Sequence, residues 1–432
     1  MNSTVGLLLI AAELMSSASV LTLSEVRARA LAQAGSDQGP NYARTRLAEI
    51  RASRRPMVAA SVDLSAAPGG ELFTVESVEG ERVVVSAIND AREGPEAFAP
   101  QLRYGAIMGL DWKAHDFGRT AASIRAAEAE LRAARLESAL ERANLVEAVD
   151  IAYLGWLQAY AQRELQQRVL SRVEDRVAVL SLEEAAGSAS PSEVAEAEIR
   201  GLAAELQSLD AEDALADARR QLEGAAGFDL PPRSVPDLAW LAAPAVEAKG
   251  GPSRADILAA RLSAAEAQLL AAGRAKRARL GVEASAGLRG QFATPIPVYQ
   301  GGVELRVPIT DGGVAQARVE QARAEADGLR LRLQDAQSAE ARSARHADAG
   351  RARAEARVEL STRYLELATD ALDGARTEAG SPEGDARVQR AWAQVEQAQS
   401  TLLSARVGRA ERLLAQSRNG ALSPSPPPPA PN

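Results

Sequence analysis

The feature that most constrains this chain is a pattern written twice. An alternating segment runs into Asp116-Phe117-Gly118-Arg119, and no proline follows until Pro191. A second alternating segment reaches Pro308-Ile309-Thr310-Asp311-Gly312-Gly313, and no proline follows until Pro382. Asp116 and Gly187 stand 71 residues apart, and Asp311 and Gly380 stand 69 apart. From Thr120 to Ala186 the one helix-weakening residue is Gly155. At the α-helical rise such a segment makes a rod of roughly 100 Å. Apolar residues recur at three-to-four spacing, as in Ile124, Ala127, Leu131 and Ala134, and in Val169, Val173, Val177 and Leu180. That is a narrow coiled-coil seam, not a broad globular-core stripe.

Each rod turns and returns. Gly187 to Glu193 reads as a tight turn, with Ser190 as N-cap and Pro191 in the first helical turn. The first return is a helix over Ser192–Glu223, a break over Gly224–Pro252 rich in Pro and Gly, and a second helix over Ser253–Arg279. The second rod, Val314–Thr377, returns over Glu383–Arg418 and lacks the upper piece. The N-terminal helical stretch Thr22–Arg54, interrupted around Gly35–Pro40, is the spare segment that supplies it.

Four segments alternate with period two: Val58–Leu64, Tyr104–Trp112, Val282–Arg289 and Val303–Ile309. Each has one apolar face and one small, polar or charged face. A long insert, Ala66–Gln101, separates the first two and carries a hairpin of its own, Leu72–Val75 with Arg82–Val85. A loop, Gln291–Gln300, joins the other two. Four one-sided strands cannot close a barrel, and open edges are not tolerated in lipid. Three copies give twelve strands, an even number within the range of membrane barrels. Asp63, Asp111, Lys113, Glu283, Arg289, Glu304 and Arg306 would then face a wet lumen. Replacing Leu305 with Arg is expected to block membrane assembly, and replacing Arg306 with Leu to leave it intact.

Composition narrows the function classes. Aromatic residues are 3% of the 432 and the net charge is −8 with acids and bases interleaved, which offers no basic surface for nucleic acid. There is no cysteine, which excludes disulfides, zinc-thiolate sites, thiol catalysis and a lipid on an N-terminal cysteine. His115 and His346 are the two histidines and lie far apart, so no metal site is expected. Asp116 and Asp311 precede glycine and open long helices, so they read as helix caps and not as a catalytic pair. No phosphate loop, nucleophile motif or carboxylate pair at useful spacing occurs; no enzyme and no cofactor is expected. The Arg/Glu runs along the rods read as solvated coiled-coil faces. Val5–Ala12 with Ser16-Ser17-Ala18 reads as an export signal.

The chain resembles the TolC-like outer-membrane efflux (outer-membrane factor) family. The resemblance is carried by Leu21-Thr22-Leu23-Ser24-Glu25 with Ala30-Leu31, by Arg254-Ala255-Asp256-Ile257 opening the helix through Ala264-Ala265-Glu266, by the two strand-end motifs, and by the turns at Gly187 and Gly380. It implies a mainly α fold with a small β part: a long antiparallel coiled-coil α-barrel, plus four strands per chain contributing to a trimeric 12-stranded membrane β-barrel. It implies a homotrimer in outer-membrane lipid with a long periplasmic extension, docked to a periplasmic adaptor and an inner-membrane RND or ABC pump. The tips that adaptors contact would be Gly187, Ser190, Pro191, Gly380 and Pro382. Asp385, Asp373 and Glu383 stand nearest the acidic pore constriction of the family. Asp116, Gly118, Asp311, Gly312 and Gly313 form the strand-to-helix junctions. The chain departs from the family at Trp112-Lys113-Ala114-His115 and at Pro382 and Gly384. The expected organisation is a signal peptide over 1–20, a first repeat over 21–227, an equatorial linker over 228–252, a second repeat over 253–420 and a Pro-rich tail over 421–432. A periplasmic adaptor or a structural coiled-coil protein is the alternative. An adaptor carries one helical hairpin where this chain has two, and a plain coiled coil leaves the strands unexplained.

Overall fold

The computed structural model describes residues 19–35, 38–68, 72–78, 81–88, 100–242, 244, 251–291, 294–309, 311–377 and 382–419. The expected signal segment through residue 18, Gly380, the side chains of Pro382 and Glu383, and the Pro-rich tail lie outside the described part.

The elements follow the duplicated plan. The first copy comprises β1 (Ser19–Leu21), α1 (Leu23–Gln33), α2 (Gln38–Ala52), β2 (Met57–Pro68), the hairpin β3 (Leu72–Val78) and β4 (Glu81–Ile88), β5 (Pro100–His115), α3 (Arg119–Ala185) and α4 (Pro191–Ala226). After β6 (Ser234–Pro236) and the short α5 (Ala239–Ala242) come α6 (Arg254–Gly273), β7 (Arg279–Gln291), β8 (Thr294–Arg306), α7 (Val314–Thr377) and α8 (Pro382–Asn419). The rods α3 and α7 have 67 and 64 residues. The fold is mainly α with a small β part, as expected. No described helix is long and apolar enough to cross a membrane.

The chain divides into two compact units that cut across the repeats. The division falls within α3 at Ala133/Ala134 and within α7 at Leu331/Arg332. One unit holds the four-stranded sheet, in the order β2-β5-β7-β8 and antiparallel throughout. The β5–β7 ladder joins the strand pairs of the two copies, with Met108 opposite Ala286 and Trp112 opposite Val282. Two boundaries differ from the sequence expectation. β8 starts at Thr294, so most of the expected loop Gln291–Gln300 is ladder, and β8 ends at Arg306, leaving Val307–Ile309 outside it. Pro295, Pro297, Gly301 and Gly302 weaken the strand signal, and an edge strand tolerates such residues. Likewise β2 and β5 pair as far as Pro68 and Pro100, past the expected strand ends at Leu64 and Tyr104 and just into the expected insert. In this unit α2 packs on α3 through Leu47, Ala127 and Leu131.

The other unit is built on a core of Leu23, Val26 and Ala30 from α1, Val149, Tyr153, Leu154, Trp156 and Leu157 from α3, Leu222 and Ala226 from α4, and Val407, Ala410 and Leu414 from α8. Tyr153, Trp156 and Leu157 are almost wholly buried. Each such large apolar side chain stabilises the fold by about 1.5–3 kcal/mol. α1 packs against α4 and α5 against α8 around this core. A capping box starts α1: the Thr22 hydroxyl accepts from the Glu25 N–H and the Glu25 carboxylate accepts from the Thr22 N–H.

Polar groups lock the same core. The Tyr153 hydroxyl donates to the Leu21 carbonyl at 2.8 Å and accepts from the Asp237 N–H at 3.0 Å. Leu21 and Pro236 are register partners in the parallel β1–β6 ribbon, so one phenol ties both strands to α3. Burial pushes the Tyr153 hydroxyl up to about 12. Arg27 donates to both oxygens of Asp150, at 2.5 and 2.7 Å. Burial raises the Asp150 carboxyl in spite of that partner, the sign of a desolvated ion pair.

Candidate functional site

The expected site residues fall at three places: the faces of the sheet, the strand-to-helix junctions, and the turns at the far ends of the rods.

Directly opposed residues in an antiparallel ladder share a face. Val58, Leu110, Ala284 and Gly301 are linked in one row; Ala60, Met108, Ala286 and Tyr299 in another; Val62, Ala106, Leu288 and Pro297 in a third. This face is apolar from edge to edge. It has no cover in the protomer: Val62 is 83% exposed, Val303 71% and Leu305 61%. The opposite face collects Asp63, Asp111, Glu283, Ser285, Arg289 and Glu304, with Ile107, Ile296 and Val298 among them. Asp111 and Glu283 are direct partners, two carboxylates side by side. The Asp63 carboxylate lies over Gly105, in the space a β-carbon there would need, and Gly105 is the partner of Arg289. Leu305 lies one residue from the end of β8, so it is not a mid-strand position; the row of Met108 is.

The two junctions have the same construction. The Asp116 carboxylate accepts from the N–H of Gly118 at 3.2 Å, from the N–H of Thr120 at 2.6 Å and from the Thr120 hydroxyl. The Asp311 carboxylate accepts from the N–H of Gly313 at 3.1 Å and of Ala315 at 2.8 Å. In both, the two residues after the aspartate lie in the left-handed region: Phe117 and Gly118 at φ 52° and 86°, Gly312 and Gly313 at 63° and 89°. Burial pushes the Asp116 carboxyl up, but the hydrogen bonds from Thr120 and Gly118 outweigh it and leave it lowered. The hydrogen bond from Ala315, with that from Gly313, lowers Asp311. The first junction has an addition: Arg274, just past α6, donates to the Gly118 carbonyl at 2.8 Å.

At the first turn Gly187 adopts φ 78°, and its neighbour Ser188 donates its N–H to the Glu183 carbonyl at 2.8 Å. Ser190 and Glu193 form a capping box and Pro191 opens α4. The hydrogen bond from the Ser190 N–H holds the Glu193 carboxyl below its ordinary value. Two of the acids expected at a constriction have basic partners. Asp385 faces Arg176 of α3 at 3.9 Å, and Asp373 pairs with Arg376 on its own helix at 3.2 Å. Two turns above Asp385 lies a cluster that sequence reasoning missed. Arg172 donates to Glu396 at 2.5 Å and stacks 3.8 Å above the Trp392 ring, with Arg376 5.0 Å from the same ring. Burial lowers the Arg172 guanidinium and raises the Glu396 carboxyl, each opposed by the other. Residues 224 positions apart leave no local signal; the hint was a lone Trp on a helix otherwise poor in aromatics.

The comparisons with known proteins agree with this construction. The family model described as outer membrane efflux protein matches residues 92–228. No curated protein matches the chain in sequence. Among solved structures, a membrane protein from Pseudomonas aeruginosa is similar at a TM-score of 0.71 and 20% identity, over 92% of this chain and 93% of that one. The outer membrane protein VceC from Vibrio cholerae gives 0.69 and 17%, over 91% and 94%. The open state of the MtrE outer membrane channel of Neisseria gonorrhoeae gives 0.71 and 18%, over 92% and 88%. The resemblance to the outer-membrane efflux proteins therefore stands, on the matched segment and on a fold shared along nine-tenths of the chain.

Proposed function

From that resemblance, we propose that this chain is the outer-membrane channel of a tripartite efflux or type I secretion system. The observation that carries the reading is the two-faced sheet. An apolar face four strands wide is unsuited to water and suited to lipid, and the opposite face carries charged residues, most of them acidic, suited to a wet lumen. Four strands leave two open edges, so the sheet requires further copies; three of them close a 12-stranded barrel. The rods extend the conduit into the periplasm, where an adaptor and an RND or ABC pump meet it. The turn residues Gly187, Ser190, Pro191, Gly380 and Pro382 are the adaptor-contacting tips. Asp385, with Asp373 and Glu383, is the constriction, held within reach of Arg176. No group that would do covalent chemistry is assigned a role.

Fractionation and conductance test this together. The protein is expected in the outer membrane as a heat-modifiable trimer that forms pores in planar lipid bilayers. Recovery as a soluble monomer without detergent would overturn the reading.

A further inference from the structure

The end of the sheet that meets the helices carries cations without partners. Its four strand ends are Met57 of β2, His115 of β5, Arg279 of β7 and Arg306 of β8. Arg54 and Arg55 lie just before the first, and Arg277 just before the third. All three are exposed, and none makes a side-chain hydrogen bond or ion pair among the described residues. The acids of this rim are engaged or turned away. Asp116 and Asp311 accept the N–H groups of their own junctions. Asp111, Glu283 and Glu304 stand on the charged face. In the proposed ring, β8 of the next copy would lie beside β2, and the acids near its end are again Glu304 and the capping Asp311.

An aromatic edge ties these cations to the apolar face. Trp112 lies opposite Val282 in an apolar row and is 40% exposed. Its indole N–H donates to the Arg54 carbonyl at 3.2 Å, which holds the α2–β2 turn against that face. The register then shifts between Lys113 and His115, and His115 pairs with Leu280 on the apolar side. Phe117, 43% exposed, meets the His115 ring edge-on. Apolar rows thus give way to aromatic rings and then to unpaired arginines. That order is the one found at a membrane–water interface, where arginine heads reach for the polar layer. The far end of the sheet is built differently. Its ladders close on the uncharged pairs Pro68–Pro100 and Gln291–Thr294. The sequence from 69 to 99 holds seven acidic and two basic residues.

We infer that the helix-side rim of the sheet binds the headgroups of anionic phospholipids through Arg54, Arg55 and Arg277, with Trp112 at the acyl boundary. The inference rests on the channel reading and adds a lipid preference to it. Charge selects this occupant: a guanidinium meets phosphate oxygens in a two-pronged contact, and arginines beside a membrane span draw anionic lipid. A zwitterionic headgroup carries its own cation and competes poorly.

Trp112 supplies the probe. The protein is reconstituted into phosphatidylcholine vesicles holding a minor share of brominated phosphatidylglycerol or brominated phosphatidylcholine, whose bromines quench a nearby indole. The difference in emission between the parent and Trp112→Phe isolates the Trp112 signal. Its quenching is expected to be several-fold stronger with the anionic lipid, and the excess to shrink with added salt. Arg54→Gln/Arg55→Gln/Arg277→Gln should lose the excess while remaining a heat-modifiable trimer, and each single variant should lose part of it. If the two lipids quench the parent equally, or the triple variant keeps the excess, the headgroup site is overturned and the channel reading survives. If the unmodified chain is a soluble monomer and neither lipid quenches Trp112, both fall.

Discussion

Phe117 holds a φ of 52° where its counterpart in the second copy is Gly312 at 63°, so one junction uses a side chain where the other uses none. A left-handed backbone costs an ordinary residue about 1–2 kcal/mol. The Phe117 ring recovers part of this by meeting His115 edge-on, 4.7 Å between centroids. The two following glycines differ in surroundings. A β-carbon on Gly118 would come within 2.7 Å of the Arg274 guanidinium, whereas one on Gly313 meets nothing within 4 Å. Gly313→Ala is therefore expected to cost only the backbone strain, about 1–3 kcal/mol, and Gly118→Ala that strain plus the displaced Arg274. Thermal unfolding of the two variants should show the larger loss for Gly118→Ala; equal losses would remove Arg274 from the junction. Gly287 makes a different demand. A β-carbon there would run into the Ala106 carbonyl and lie 2.7 Å from the Ile107 Cα, both on β5. Since β5–β7 joins the two copies, Gly287→Ala is expected to lose about 1–3 kcal/mol and to lower trimer yield, while Gly281→Ala, with open space at its β-carbon, should not.

The helix starts respond to pH through their caps. Asp116 and Asp311 both have lowered carboxyl pKa values, so the folded chain holds those protons less tightly than the unfolded chain does. Their contribution is complete above the ordinary aspartate value of about 3.9 and is lost as pH falls through the lower folded values. The Asp116→Asn/Asp311→Asn variant keeps a capping side chain but cannot titrate. Far-UV circular dichroism between pH 5 and 2 is expected to show less acid fraying for it than for the parent; superimposable curves would refute the caps' role. At the first turn, Ser190→Ala removes half a capping box and is expected to cost about 1 kcal/mol, measured by thermal unfolding. These caps were legible in the sequence because each is spelled within five residues. The bounds of β8 were not, because Pro295, Pro297, Gly301 and Gly302 obscure an edge strand that is ordered by its pairing with β7. The partner of Asp385 was not legible either: Arg176 meets it only because α3 and α8, far apart in the chain, run side by side.

Across the whole chain, the strand facing was legible because a period of two admits only one assignment of sides once a single face is apolar. Depth along the strand was not, because the ends of β2, β5 and β8 are fixed by pairing and not by composition. That difference changes which substitution tests the barrel. Leu305 faces the apolar side but stands beside the end of β8, where in the proposed barrel an arginine would reach headgroups and cost about 0–1 kcal/mol. Met108 is 59% exposed on the same face, at the middle of β5, in register with Ala60 and Ala286. In the proposed barrel an arginine there would face lipid and cost about 2–4 kcal/mol in each copy. Ser285 is the matched control: it pairs with Gly109 and Gln300 at nearly the same depth, on the charged face. Met108→Arg is expected to abolish the heat-modifiable trimer, Leu305→Arg to weaken it, and Ser285→Arg to leave it intact while altering the ion selectivity of the pore. If Met108→Arg and Ser285→Arg assemble equally well, the apolar face does not meet lipid, and the four strands need another explanation than a shared barrel.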